Sequence, residues 1–260
     1  MKQISEYMPY ESIACNLLVN QDYEEYPFLG GTGFFVQFQP YDYIFYITAK
    51  HCFTESNNTE TEIIEKLRLS YKGNNTKPTD DSILFSEMLF GQDENDDEYE
   101  DILVFVVDNN VNQENIELLK KRTLTLHNQS VIDKLLQDLC KNKKEIGTIG
   151  FPGISKSLSY DTKRLTGEIR GYSGVIKDNS IFKNRYGFEE ASWKEKKYNG
   201  FSGSPVLVLA KHENESELKA TLIGILLTAT SHRGEFLSIN FATDLIANYI
   251  KANKTLERNR

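Results

Sequence analysis

The sequence predicts an all-β protein, and three observations support this fold class. Ten short segments are either continuously apolar or alternate apolar with polar residues, as β-strands do. Clusters of Gly, Pro, Asn and Asp separate these segments and are typical of turns. Helical periodicity, in contrast, occurs in few places. Many short strands with turn residues between them indicate a β-barrel or a β-sandwich.

The candidate strands lie in both halves of the chain, on either side of a helical region. Two of them, residues 43–49 and 101–108, are nearly continuous apolar runs, which predicts burial. In chain order the candidates are residues 32–39, 43–49, 66–72, 82–90, 101–108, 145–151, 164–176, 203–210, 220–229 and 236–242.

Helical patterns appear in the middle of the chain and at its end. The middle patterns predict a helical insertion at about residues 112–142, and the last predicts a helix at about residues 241–254. Thr243 or Asp244 could cap this last helix. The residues expected on one apolar face are Val131, Leu135, Leu136 and Leu139 in the middle and Leu245, Ile246, Tyr249 and Ile250 at the end.

Composition and charge narrow the classes of function. The chain has 260 residues, of which 39% are hydrophobic and 26% charged, as in soluble globular proteins. Its net charge is -8, so the strongly basic surface that binds nucleic acids or anionic membranes is not expected. No segment approaches the roughly 20 apolar residues of a membrane span. We therefore expect neither a nucleic-acid partner nor a membrane partner.

The cysteines give no sign of a disulfide framework or a metal centre. They are odd in number, namely Cys15, Cys52 and Cys140, and no CxxC spacing occurs. The amino terminus lacks the apolar stretch of a secretory signal. We therefore expect a cytoplasmic protein with reduced thiols and with neither a metal nor a cofactor.

His51 is a candidate general base. The apolar segment 43–49 leads directly to it, and a histidine at the end of a fixed strand can move a proton near neutral pH. A structural role is the alternative. The other histidines, His127, His212 and His232, lie in polar segments and are interpreted as surface residues.

Asp101 is a candidate partner for His51. It stands where an acidic stretch meets the apolar run 102–107, and a buried carboxylate needs a partner such as an imidazole N–H. The alternative is an acidic residue that ends a solvated loop. Asp93, Asp96 and Asp97 compete in the same stretch, but only Asp101 adjoins the apolar run.

Ser202 is a candidate nucleophile, since it lies between Gly200 and Gly203 in the stretch YNGFSGSPVLVLA. Glycines permit a sharp turn and close approach of a substrate. The N–H groups of Gly200 and Ser202 could then stabilise an oxyanion. The alternative is an ordinary tight turn. The chain order His, Asp, Ser is that of the chymotrypsin architecture.

Several motifs resemble those of trypsin-like serine proteases. TAKHC (48–52) resembles their Thr-Ala-x-His-Cys box, DILVFVV (101–107) their Asp-Ile-x-Val strand, and GFSGSP (200–205) their Gly-x-Ser-Gly-x-Pro loop. GGTGFFV (30–36) and GTIGFPG (147–153) are similar to further family signatures. Residues 222–250 resemble the closing strands and helix of HtrA-type proteases and of bacterial trypsin-like peptidases without a PDZ module.

The resemblance implies one peptidase domain over residues 1–260, a chymotrypsin-like double β-barrel. The barrels would span about residues 1–125 and 140–240. It further implies that His51, Asp101 and Ser202 form a catalytic triad and that Gly200 and Ser202 form the oxyanion hole. The strand that pairs with the substrate backbone would consist of Leu227, Thr228 and Ala229.

Departures from the family pattern bear on activation and specificity. Phe201 stands where trypsins have the aspartate that captures a new amino terminus, so activation by amino-terminal cleavage is not expected. Leu227 replaces a small serine. Lys196 lies near the base of the primary pocket of trypsins, where it would favour acidic substrate side chains. The alternative is that Lys196 points to solvent.

The resulting hypothesis is a cytoplasmic serine endopeptidase with protein or peptide substrates, of narrow specificity or controlled by a regulatory protein partner. A catalytically inert protease-like binding module is the first alternative. An esterase or acyltransferase on the same fold is the second, since it differs only in the acceptor.

Overall fold

The structure is a computed structural model that describes residues 10–20, 23–53, 60–71, 82–91, 101–108, 115–153, 156–159, 164–177, 184–189, 199–210 and 219–258. Within these residues the chain is mainly β-structure. The strands form two large, mostly antiparallel sheets and one small hairpin.

The first sheet comes from the amino-terminal half and has seven strands in the order β4-β1-β2-β3-β6-β5, with β7 parallel to β2. A backbone bond of 2.7 Å from Ile83 N–H to Leu69 O and a bridge between Ser70 and Ser82 connect its two edges. These contacts roll the sheet into a barrel. Its strands are β1 (Ile13–Asn20), β2 (Tyr23–Gln37), β3 (Ile44–Thr48), β4 (Leu67–Arg68), β5 (Phe85–Leu89), β6 (Leu103–Val107) and β7 (Leu124–Thr125).

The second sheet is a closed antiparallel barrel of six strands in the order β11-β12-β15-β14-β13-β8. Closure leaves the sheet without an edge strand, although single strands can extend beyond their partners, and is a standard solution for all-β proteins. The hairpin of β9 (Lys156–Ser159) and β10 (Arg164–Gly167) precedes β11 in the chain. The barrel strands are β8 (Glu145–Gly150), β11 (Arg170–Lys177), β12 (Arg185–Glu189), β13 (Pro205–Ala210), β14 (Lys219–Ala229) and β15 (Arg233–Ser238).

Strands β3 and β6 are buried on both faces, which explains their continuous apolar sequences. Successive side chains of a strand point to opposite faces. Tyr46 and Phe105 therefore join the interior cluster of the first barrel. Phe45, Ile47 and Val104 join a second cluster that includes side chains of the second barrel. These two strands thus run between two cores, and their ends lie where the barrels meet.

The helices are α1 (Glu60–Lys66), α2 (Ile116–Lys120), α3 (Gln129–Lys141) and α4 (Ile239–Arg258). The middle insertion predicted from the sequence contains α2 and α3. The face predicted for α3 was partly wrong, because α3 buries Ile132 with Leu136 and Leu139 and leaves Val131 44% exposed. No helix of the described ranges is long and apolar enough to cross a membrane.

The last helix begins earlier than the sequence predicted. Residues 239–242 were assigned to a strand, but they form the first turn of α4. The predicted caps are also wrong. Thr243 donates within the helix to Ile239 O at 3.1 Å, and it is Ser238 Oγ that accepts the Asn240 N–H at 3.3 Å. The apolar run 236–242 therefore divides between β15 and α4, because both elements pack on the same core.

Candidate active site

His51 lies directly after the buried strand β3. Residues Lys50–Cys52 form one turn of 3-10 helix, in which Cys52 N–H donates to Ala49 O at 3.2 Å. The His51 side chain is 42% exposed. A rigid buried strand thus delivers an imidazole to the surface, as the sequence predicted.

Asp101 contacts His51 through both carboxylate oxygens. Oδ2 lies 2.5 Å from His51 Nδ1, and Oδ1 accepts the His51 backbone N–H at 2.8 Å. An ionised carboxylate only accepts hydrogen bonds, so this geometry favours a proton on Nδ1 and leaves Nε2 as the basic nitrogen. The pairing of Thr48 with Leu103 in β3 and β6 brings the two residues together. Asp93, Asp96 and Asp97 lie outside the described residues.

Ser202 lies in a turn that two glycines make possible. Gly200 has a φ of 95° and Gly203 a φ of 84°, which side chains rarely tolerate. A Cβ on Gly203 would lie 2.1 Å from Thr32 O and 2.8 Å from Ala49 N. Gly203 is therefore required both for its backbone angle and for the close approach of the two barrels.

The turn around Ser202 packs against the turn that carries His51. Cys52 Sγ donates to Ser202 O at 3.6 Å, and Gly203 adjoins Ala49. Ala49 and Cys52 lie within two residues of His51 in the chain. The structure thus brings together the segments of all three predicted triad residues, although they lie far apart in sequence.

The hydroxyl of Ser202 donates to Leu227 O at 3.1 Å. A hydroxyl has one proton to donate. Donation to His51 therefore requires the release of Leu227 O. In this structure the serine proton is therefore directed at β14.

Two backbone N–H groups of the Ser202 turn have no hydrogen-bond partner in the described part of the chain. Gly203 N–H donates to Leu226 O at 2.7 Å and Ser204 N–H to Phe201 O at 2.9 Å. The N–H groups of Gly200 and Ser202, in contrast, make no hydrogen bond to another described residue. These are the two donors that the sequence assigned to an oxyanion hole.

Thr32 connects the first barrel to this turn, which the sequence did not predict. Its hydroxyl donates to Gly200 O at 2.6 Å and accepts the Phe151 N–H at 3.0 Å. Its backbone N–H donates to Ser202 O at 2.9 Å. One buried residue of β2 therefore fixes the carbonyl groups on both sides of Phe201.

A chain of buried hydrogen bonds connects Thr32 to the interior of the first barrel. Thr48 Oγ1 donates to Thr32 O at 2.7 Å and accepts Asn16 Nδ2 at 2.9 Å. Tyr46 OH donates to Asn16 Oδ1 at 2.5 Å. Burial raises the pKa of Tyr46 well above its usual value of 10.0, so its hydroxyl stays protonated and can donate.

The end of the predicted substrate strand has an open edge as far as the described strands show. Strand β14 pairs with β13 as far as Ile225, opposite Pro205. Beyond that point, Thr228 and Ala229 pair only with β15 among the described strands. The open edge begins at Leu227, whose carbonyl accepts the Ser202 hydroxyl. An extended peptide could add to this edge next to Ser202.

The structure does not place Lys196 or Phe201 in a substrate pocket. Lys196 lies outside the described residues, so its placement in a pocket stays a prediction. Phe201 is 1% exposed and packs near Tyr172, with ring centroids 6.4 Å apart. Phe201 is thus a core residue. In the described part of the chain, no group of three or more His, Cys, Asp or Glu residues is placed to hold a metal ion.

The two barrels, with the candidate site where they meet and the helix that follows them, have the architecture of a chymotrypsin-like double β-barrel, which confirms the fold class predicted from the sequence. The structure is similar to that of the serine protease of a human pathogenic astrovirus, with a TM-score of 0.41 and 15% sequence identity over 90% of this chain and 91% of that chain. The sequence matches no protein-family model and no curated protein.

Proposed function

We propose that the protein is a serine endopeptidase in which Ser202 is the nucleophile, His51 the general base and Asp101 the residue that orients His51. The observation that carries this proposal is the double contact of Asp101 with His51, at 2.5 Å to Nδ1 and 2.8 Å to the backbone N–H. This contact orients the ring and favours the tautomer with its proton on Nδ1, which a general base needs.

The proposed reaction has two stages. Ser202 Oγ attacks the scissile carbonyl and passes its proton to His51 Nε2, while Asp101 stabilises the imidazolium. The oxyanion binds the N–H groups of Gly200 and Ser202, each worth about 3 kcal/mol of barrier. The C–N bond then breaks, and the leaving amine takes the proton from Nε2. Water, deprotonated by His51, cleaves the acyl-enzyme and restores Ser202.

Substrate binding itself would prepare the nucleophile. A peptide added to the open edge of β14 would place a backbone N–H against Leu227 O, which now accepts the Ser202 hydroxyl. This N–H would displace the serine proton, which can then be donated to His51. Low reactivity without substrate follows from this exchange and would limit damage to other proteins.

The alternative is an inert binding module, and one observation favours it. The Ser202 proton is directed at Leu227 O in this structure. If no substrate displaces it, the peptide edge of β14 would bind a partner without cleaving it.

Labelling by a fluorophosphonate tests the proposal, because such probes react only with activated serines. We expect labelling of the full chain that is slow, because Leu227 O holds the serine proton without substrate, and that is lost in Ser202→Ala and His51→Ala. His127→Ala, which changes a histidine outside the site, is the matched control and should keep its label. Absence both of labelling and of cleavage of a peptide library would favour the inert module.

A further inference from the structure

A cavity of about 430 Å³ opens beside the predicted substrate strand. Thr228 lines it, and the preceding residue, Leu227, accepts the Ser202 hydroxyl. A side chain of a peptide on the β14 edge could therefore enter the cavity while the peptide backbone lies near Ser202. The residues that line the cavity include Phe188, Glu189, Thr228, Arg233, Gly234 and Glu235.

Two paired strands form much of the cavity wall. Phe188 of β12 lies opposite Gly234 of β15. A Cβ on Gly234 would lie 2.3 Å from the Phe188 ring, so glycine is needed for the ring to cover this strand. Phe188 is 1% exposed, so its ring packs in the barrel core behind this wall and holds the two strands in place. The cavity is thus shaped by packed side chains of the barrel.

Among the described residues, the two glutamates of the cavity wall have ion-pair partners and Arg233 has none. Glu189 forms an ion pair with Lys177, and Glu235 lies 3.4 Å from Arg185. The guanidinium of Arg233, which is exposed, forms no ion pair with any carboxylate of the described residues. Its backbone is fixed, because Thr230 N–H donates to Arg233 O at 2.8 Å. When Lys177 and Arg185 are counted with the two glutamates that they contact, Arg233 is the one charge of the cavity lining without an ion-pair partner among the described residues.

We propose that this cavity binds an acidic side chain of the substrate, with Arg233 as the counter-ion. The proposal rests on the proposed function in one respect, namely that the substrate lies along β14. A guanidinium binds a carboxylate through two parallel hydrogen bonds. The Thr228 hydroxyl, which makes no hydrogen bond to another described residue, can supply a further donor. A lysine side chain would gain no ion pair in the cavity, because Arg233 has the same charge. The two glutamates of the wall, Glu189 and Glu235, already have cationic partners.

The experiment uses a series of fluorescent peptides in which one position carries Glu, Gln or Lys. This variable position is moved along the peptide from one set to the next. We measure cleavage by the full chain and, separately, binding to Ser202→Ala, which keeps the cavity but lacks the nucleophile. At one position we expect Glu to be preferred over Gln by about tenfold, the usual gain of a charge-assisted hydrogen bond. Arg233→Ala should abolish this preference, and Arg233→Glu should shift it to Lys.

The control is Lys134→Glu. Like Arg233→Glu, it replaces a positive by a negative charge, but at an exposed position of α3. It should keep the preference for Glu. Thermal unfolding checks that the Arg233 variants stay folded, as expected for an exposed side chain.

The outcomes separate the two proposals. Equal use of the Glu, Gln and Lys peptides, with fluorophosphonate labelling intact, overturns the acidic subsite and leaves the protease standing. Selective binding of the Glu peptides to Ser202→Ala supports the subsite even if the full chain neither cleaves nor labels, in which case only the protease proposal fails. A Glu preference unchanged by Arg233→Ala also overturns the subsite.

Discussion

The first barrel presents His51 and Asp101 from the ends of two paired strands, whereas the second presents Ser202 from a turn between two glycines. The pairing of Thr48 with Leu103 fixes the histidine and the aspartate within one sheet. The position of Ser202, in contrast, depends on hydrogen bonds that cross from Thr32 of the other barrel.

This difference indicates where the site is rigid and where it is adjustable. Strands buried on both faces resist local change, because every displacement disturbs two cores. A turn held by a few hydrogen bonds can rearrange at lower cost. We therefore expect changes at Asp101 to affect chemistry alone, and changes behind the serine turn to affect stability and chemistry together.

The largest expected effect is that of Asp101→Asn. Asparagine keeps an oxygen for the His51 backbone N–H, so the fold should persist. Its amide favours the wrong imidazole tautomer, which in a triad costs about 10⁴-fold in rate. We expect the rate of fluorophosphonate labelling to fall by a similar factor while the unfolding midpoint in urea stays unchanged. The control is Asp244→Asn, at an exposed position of α4, which should be labelled at the normal rate. A decrease of less than tenfold in the labelling rate of Asp101→Asn would argue against a triad.

A smaller effect is expected for Thr32→Val, which keeps the side-chain volume and removes the hydroxyl. Gly200 O and the Phe151 N–H would lose a buried partner, at a cost of about 2 kcal/mol in stability. Because Gly200 also carries a proposed oxyanion donor, labelling should slow by roughly tenfold. Urea unfolding and labelling kinetics measure the two effects.

Two variants sharpen this test of the serine turn. Thr32→Ser keeps a hydroxyl and should restore labelling even if the lost methyl group lowers stability. Thr48→Val breaks the bonds to Thr32 O and Asn16 but leaves the Gly200 contact intact. It should cost stability with little change in the labelling rate. Equal slowing by both valine variants would mean that Thr32 acts only as a structural residue.

The parts of the site that the sequence predicted are those with strong local signals. His51 follows a continuous apolar strand, and Ser202 lies between glycines whose positive φ angles no other residue would favour. Both signals lie within a few residues of the functional group. The all-β fold followed from the same kind of local pattern, repeated along the chain.

Thr32 could not be predicted, because its contact with Gly200 joins residues 168 positions apart. Strand β1 was missed for a related reason. It contains a fully buried asparagine, Asn16, whose partners Thr48 and Tyr46 come from another strand. Strand β12 was missed because its side chains are mostly half-buried, so it lacks an apolar pattern. A buried polar network is invisible until the strands that satisfy it are placed together.

The smallest expected effect is that of Tyr46→Phe, at the far end of this network. Loss of the hydrogen bond to Asn16 should cost about 1 kcal/mol at neutral pH, and labelling should stay within about twofold of the unmodified protein. The pH dependence is more diagnostic. Burial raises the pKa of Tyr46 above 10.0, so above that pH the unfolded chain loses the tyrosine proton first. This contribution to stability is complete below pH 10 and declines above it, by up to about 1.4 kcal/mol per pH unit.

Urea unfolding between pH 9 and 11 measures this slope, which Tyr46→Phe should reduce relative to the unmodified protein. Tyr10→Phe, at an exposed position, is the matched control and should leave the slope unchanged. A slope that Tyr46→Phe does not alter would mean that water reaches the hydroxyl in solution. The buried network would then be looser than its hydrogen bonds indicate, and the first barrel would not be the rigid half of the site.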